Sequence, residues 1–174
     1  RNALCASISP GNMRLNSSRR TADSRSPDSR PISRAAGSSF SASARSRHYP
    51  GGEPAFVDAM NHKAAAIGLK DTRFADPTGL TAANVSSARD LSRMVAAAAR
   101  YPLIRELSTT PSHRVVAGGR PLEFRNTNTL VRSQASGWDI AVSKTGYIRE
   151  AGKCLVMQAW MNNKPVVIVL LDSW

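Results

Sequence analysis

Phe56, Val57, Met60, Ala64 and Ile67 recur three and four positions apart and stop at Gly68. That spacing predicts an amphipathic helix ended by glycine, entered from a Pro50-Gly51-Gly52-Glu53-Pro54 turn with proline among the first helical positions. Asp76-Pro77-Thr78-Gly79 follows as a type I turn. Ser87-Ala88-Arg89-Asp90 then reads as a helix start of the capping-box kind, with Leu91, Met94, Val95 and Ala98 on one face and an end near Tyr101-Pro102. Both stripes are read as core.

Beyond residue 110 the hydrophobic period shortens from 3.6 to 2. His113 to Val116, Gly118-Gly119 and Pro121 to Phe124 predict a hairpin. Three further runs, 138–148, 153–161 and 165–171, are separated by Arg149-Glu150-Ala151-Gly152 and Asn162-Asn163-Lys164. Connections this short join antiparallel neighbours, so the runs predict a three-strand meander. The last run is apolar on both faces from Val166 to Leu171, which predicts a central strand covered on both sides. Helices followed by antiparallel strands indicate an α+β (mixed α/β) domain, and a covered strand three residues before the last residue suggests a domain cut at its end.

Composition divides the chain in two. The net charge is +12 over 174 residues, which taken alone points to nucleic acid or an anionic surface. Residues 1–49, however, hold nine Arg, two Asp and thirteen Ser, with no Val, Lys, Glu or Gln. Such a segment lacks the apolar surface to offset chain entropy, so residues 1–46 are expected to be a disordered Arg/Ser-rich segment. Its composition fits GC-rich DNA read in a shifted frame as well as it fits an evolved tail. Residues 47–174 form the expected folded domain. Cys5 and Cys154 are too few for a disulfide framework. His48, His62 and His113 lack metal-ligand spacing, so no metal site is expected.

The candidate chemistry is Ser143-Lys144-Thr145-Gly146-Tyr147, on the first strand of the meander. Lys144 offers a cation and Thr145 a hydroxyl, on opposite faces unless the strand twists. Gly146 within a strand suggests close approach of a ligand or another backbone. Lys144, Thr145 and Gly146 are therefore the candidate substrate-binding residues, with Ser143 and Tyr147 as secondary ones. Asn126-Thr127-Asn128 is read first as a structural turn and second as a hydrogen-bonding element near a cleft.

These residues do not stand alone. His48-Tyr49-Pro50-Gly51-Gly52, Phe56-Val57-Asp58-Ala59-Met60-Asn61, Phe74-Ala75-Asp76-Pro77-Thr78-Gly79-Leu80, Asn84 to Leu91, Tyr101-Pro102-Leu103-Ile104, Phe124 to Asn128 and Lys144-Thr145-Gly146-Tyr147 succeed one another in a characteristic order. In that order and spacing residues 47–174 resemble the D-alanyl-D-alanine carboxypeptidase/endopeptidase family, low-molecular-mass penicillin-binding proteins. The resemblance implies the C-terminal portion of a penicillin-binding protein/β-lactamase-like serine peptidase fold. It also implies action on peptidoglycan stem peptides and cross-links in the bacterial periplasm, and binding of β-lactams, without a cofactor or a specific nucleic-acid partner.

That family's chemistry requires Ser-x-x-Lys and Ser-x-Asn beside Lys-Thr-Gly. Three positions before Lys63, Lys70, Lys144, Lys153 and Lys164 stand Met60, Ile67, Ala141, Glu150 and Met161, and no Ser-x-Asn occurs. The counterpart of Ser-x-Asn falls at Gly37-Ser38-Ser39. No catalytic residue is therefore assigned in these 174 residues, and the chain is expected to be inactive as it stands. The competing expectation is a non-catalytic peptidoglycan- or polyanion-binding protein with a basic arm.

Overall fold

The computed structural model describes residues 2–3, 13–15, 36–133 and 137–173. In chain order they form β1 (Asn2–Ala3), β2 (Met13–Leu15), α1 (Ala36–Arg47), α2 (Gly52–Ala66), β3 (Val85–Ser86), α3 (Ala88–Ala98), α4 (Pro102–Thr109), β4 (Ser112–Ala117), β5 (Arg120–Asn126), α5 (Thr129–Arg132), β6 (Asp139–Ile148), β7 (Gly152–Met161) and β8 (Lys164–Leu170). The strands form an antiparallel β6-β7-β8 meander, a β2-β5-β4 sheet and a β1-β3 pair.

The helical stripes pack as their spacing requires. Ala64 of α2, with Leu91 and Val95 of α3, meets Val142 of β6 and Val156 of β7, together with Leu69 and Phe74 from the connection between the helices. Val167 and Val169 of β8 line the same core. Two side-chain amides fix that connection. Asn61 accepts the Phe74 N–H at 2.8 Å and donates to the Phe74 carbonyl at 2.9 Å, so one side chain acts toward Phe74 as a neighbouring strand would. Asn84, 1 % exposed, accepts the amides of Ala75 at 2.6 Å and Asp76 at 3.1 Å. In the expected turn, the Asp76 carboxylate accepts the amides of Thr78 at 2.6 Å and Gly79 at 2.7 Å, closing it as an Asx turn.

Turn chemistry explains the hairpins. Gly118 and Gly119 both have positive φ, as do Asn162 and Asn163. Two-residue turns of that kind match the right-handed strand twist, and Gly and Asn tolerate the left-handed region best. Gly152 is more tightly constrained. Its φ is +64°, and a Cβ there would lie 1.9 Å from Asp172 Oδ1 and 3.1 Å from the Asp172 Cα. Gly152→Ala is therefore expected to destabilise the chain by about 2–3 kcal/mol. Gly118→Ala, with φ +58° and open space around it, should lose only the backbone term, about 1 kcal/mol. Paired thermal melts check this order, and equal losses would contradict the steric argument.

Three expectations change and one helix is added. Residues 36–46, placed in the expected disordered segment, belong to helix α1, which packs on α2 and in which Ala42 and Ser46 are buried. The Ser46 hydroxyl lies 3.2 Å from Glu53 Oε2 as donor. Residues 2–3 and 13–15 pair with β3 and β5, and the remainder of 1–35, Cys5 included, lies outside the described residues. Secondly, α3 ends ahead of Tyr101-Pro102 as expected, but a helix that the sequence reading did not include follows at once: Pro102 opens α4, where its missing N–H and fixed φ suit a first helical position. Thirdly, the Asp90 carboxylate does not reach back to Ser87. Ser87 Oγ accepts the Asp90 N–H at 3.2 Å, but the carboxylate turns to Asp71 and Thr72. Fourthly, β8 is an edge rather than a central strand among the described residues. It pairs only with β7, and Val166 to Val169 are half-buried. An unbroken apolar run registers hydrophobicity on both faces, whereas α3 covers one of them.

Candidate binding strand

Lys144-Thr145-Gly146 lies in the second half of β6, in register with Val156, Leu155 and Cys154 of β7. β7 takes one edge of β6, and no strand takes the other among the described residues. On that second edge the Ser143 amide donates to Ser108 Oγ of α4 at 3.4 Å. An antiparallel strand turns the backbone groups of alternate residues to the same side. Thr145 and Tyr147 thus direct their N–H and C=O groups to the open edge, where the Lys144 ammonium donates to the Thr145 carbonyl. Thr145 and Gly146 are half-buried, whereas Tyr147 is 63 % exposed.

Side-chain alternation puts Val142 in the helical core and Ser143 and Thr145 on the opposite face. There the segment following β5 supports them. Asn128 Nδ2 donates to Ser143 Oγ at 2.8 Å, while Asn128 Oδ1 accepts the Leu130 amide at 2.9 Å and caps α5. Asn126 donates to the carbonyls of Ser108 at 3.0 Å and Thr110 at 3.1 Å and accepts the Asn128 amide at 3.0 Å. Arg132 donates to the Asn126 carbonyl at 3.0 Å. Both asparagines are buried, where an amide is tolerated because its donors and acceptor find partners. Together they join the end of α4, the end of β5, the start of α5 and the middle of β6.

Thr127, between them, brings its hydroxyl oxygen to 2.5 Å from that of Thr145. Both readings of Asn126-Thr127-Asn128 therefore have a place: the asparagines hold the backbone, and the threonine reaches the candidate site. The structure brings Lys144, Thr145 and Gly146 to one strand edge. Ser143, a secondary candidate, is 1 % exposed and faces Asn128, so it supports the strand from behind. Ser108 was not among the sequence candidates, and Thr127 was one only within the second reading of the Asn126-Thr127-Asn128 turn, without its partner. A lone Ser in Leu107-Ser108-Thr109 carries no signal, and the pairing of Thr127 with Thr145 spans eighteen positions. Cys154, on an apolar strand, is buried, with Sγ 3.4 Å from the Ala151 carbonyl.

A model of the D-alanyl-D-alanine carboxypeptidase family matches residues 37–174. The chain belongs to that family. The match begins within α1, ahead of the boundary at residue 47 expected from the motifs, and takes in Gly37-Ser38-Ser39. The D-alanyl-D-alanine endopeptidase of Pseudomonas aeruginosa is 48 % identical over 136 residues, covering 76 % of this chain and 43 % of the relative. The Escherichia coli enzyme of the same name is 47 % identical over 135 residues, again covering 76 % and 43 %. The chain thus spans less than half the length of these relatives. Among solved structures, a D-alanyl-D-alanine carboxypeptidase from Mycobacterium tuberculosis superposes with a TM-score of 0.67 at 27 % identity, covering 78 % of this chain and 51 % of that one. The C98A mutant of Streptomyces K15 DD-transpeptidase gives 0.68 at 29 % identity, covering 79 % and 56 %. The described helices and antiparallel strands are part of the fold of these DD-peptidases.

Proposed function

We propose that β6 binds the D-alanyl-D-alanine end of peptidoglycan stem peptides, as one wall of the cleft of a serine-type D-alanyl-D-alanine carboxypeptidase/endopeptidase. The observation that carries this reading is the open edge of β6, with Lys144, Thr145 and Gly146 along it and the strand held from behind by Asn128, which Asn126 fixes in turn. An extended peptide adds there as a further strand, paired to the backbone groups of Thr145 and Tyr147. Gly146 leaves room for the peptide's main chain. Lys144 supplies positive potential, and the Thr145 hydroxyl donates to the terminal carboxylate. The carboxylate of a β-lactam fits the same two groups. Such a substrate places the working site outside the bacterial cytoplasm, in the periplasm.

Hydrolysis in this family type runs through a serine activated by a neighbouring lysine. These 174 residues contain neither Ser-x-x-Lys nor Ser-x-Asn, so they are expected to bind without forming an acyl-enzyme. A fluorescent penicillin tests both halves of the reading. The expected result is a rise in anisotropy that acetyl-Lys-D-Ala-D-Ala reverses, with no label on the chain after denaturing electrophoresis. A covalently labelled band would overturn the absence of acylation, and an unchanged anisotropy would overturn binding.

A further inference from the structure

We infer that Thr127 is a positioning residue that makes β6 selective for a ligand ending in a carboxylate; the inference rests on the peptide-binding role of β6. Its hydroxyl lies 2.5 Å from the Thr145 hydroxyl, on a segment fixed on both sides by the buried asparagines 126 and 128.

A hydroxyl has one proton to donate and two lone pairs that accept. In a pair of hydroxyls, one donates to the other, and either direction satisfies the geometry while no ligand is present. A carboxylate is acceptor-only, so its arrival settles the direction. Thr145 gives its proton to the carboxylate, and Thr127 gives its own to Thr145 Oγ1. The resulting chain, from Thr127 O–H through Thr145 O–H to the carboxylate, is aligned head to tail, and each bond polarises the next. A terminal carboxamide carries no charge and brings donors of its own, so Thr145 can meet it in either direction and draws less from Thr127. Thr127 thus acts through Thr145, without touching the ligand.

The test compares acetyl-Lys-D-Ala-D-Ala with its C-terminal carboxamide, titrated into the full 174-residue chain by NMR, for wild type, Thr127→Val and Thr127→Ser. Valine keeps the shape and removes the hydroxyl; serine keeps the hydroxyl. Wild type is expected to bind the carboxylate peptide more tightly than the carboxamide. Thr127→Val should weaken the carboxylate peptide by about three- to tenfold, the range for one hydrogen bond, and the carboxamide by less than twofold, while Thr127→Ser retains the preference. A purely structural Thr127 would weaken both peptides equally in Thr127→Val, which overturns the inference, as does an unchanged preference. If wild type binds neither peptide, the binding role of β6 fails and this inference with it, whereas binding with an unaltered ratio in Thr127→Val removes the inference alone.

Discussion

Asp90→Ala is expected to lower stability by about 3 kcal/mol, a large share of the roughly 5–15 kcal/mol that a domain retains in net terms. Asp90 has no exposed surface. One carboxylate oxygen accepts the Asp71 amide at 2.6 Å and the Thr72 hydroxyl at 2.9 Å, and the other lies 3.5 Å from Arg93. Thr72 Oγ1 is in turn 2.8 Å from Ser86 Oγ. Removing the carboxylate takes the acceptor from the Asp71 amide and leaves the Thr72 hydroxyl with Ser86 Oγ alone, and losing a charged acceptor of two donors at once costs more than an average hydrogen bond is worth. It also loosens the segment after α2 from the first turn of α3, whose Leu91 and Val95 are core. With a slope of about 2 kcal/mol per molar urea the midpoint should fall by about 1.5 M. Ser92→Ala, next to the same turn but with its hydroxyl in an exposed contact to the Arg89 carbonyl, should change stability by no more than about 0.5 kcal/mol. Equal midpoints for the two variants would show that the buried carboxylate is not what ties α3 to the preceding segment.

Lys144→Met is expected to have the largest effect on ligand affinity. The substitution keeps an unbranched apolar stem and removes the ammonium, so the half-buried part of the side chain is retained. A hydrogen bond to a charged group contributes about 1.5–3 kcal/mol, which corresponds to weaker binding of a D-alanyl-D-alanine peptide by about ten- to 150-fold. Since Lys144 also donates to the Thr145 carbonyl, the thermal midpoint is measured alongside, and a fall of a few degrees does not account for a loss of that size. A salt titration supplies a second readout. Wild-type affinity should drop between low and physiological ionic strength, and Lys144→Met affinity should be nearly flat. Unchanged affinity in Lys144→Met would remove the cation from the binding role assigned to it.

The elements whose signals are local were legible in the sequence. Leu91, Met94, Val95 and Ala98 mark α3 because their spacing is helical wherever they are placed, and Gly118-Gly119 and Asn162-Asn163 mark hairpins because positive φ is a property of the turn itself. α4 escaped because proline both ends a helix and begins one, and Pro102 does the second directly after α3 has stopped. α1 escaped because the argument for disorder counted the apolar surface of the segment alone, whereas α1 packs on α2 and has Ala42 and Ser46 buried. At the site, Lys144-Thr145-Gly146 was legible as a motif with a glycine inside a strand. Its support was legible only as a turn at Asn126-Thr127-Asn128 without assigned partners, since Ser108, Thr127 and Asn128 meet β6 only through the fold. Charge was the least informative feature. Of the net +12, seven units fall on residues 1–49, and +5 remains for the rest of the chain.

The central claim is that the open edge of β6 is where a D-alanyl-D-alanine peptide binds. It is tested most directly by titrating acetyl-Lys-D-Ala-D-Ala into the uniformly ¹⁵N-labelled chain and following every backbone amide. The account predicts saturable shifts concentrated at Thr145, Gly146 and Tyr147, with smaller ones at Thr127 and little change along β8. An unperturbed β6, or shifts concentrated at the edge of β8, would contradict it.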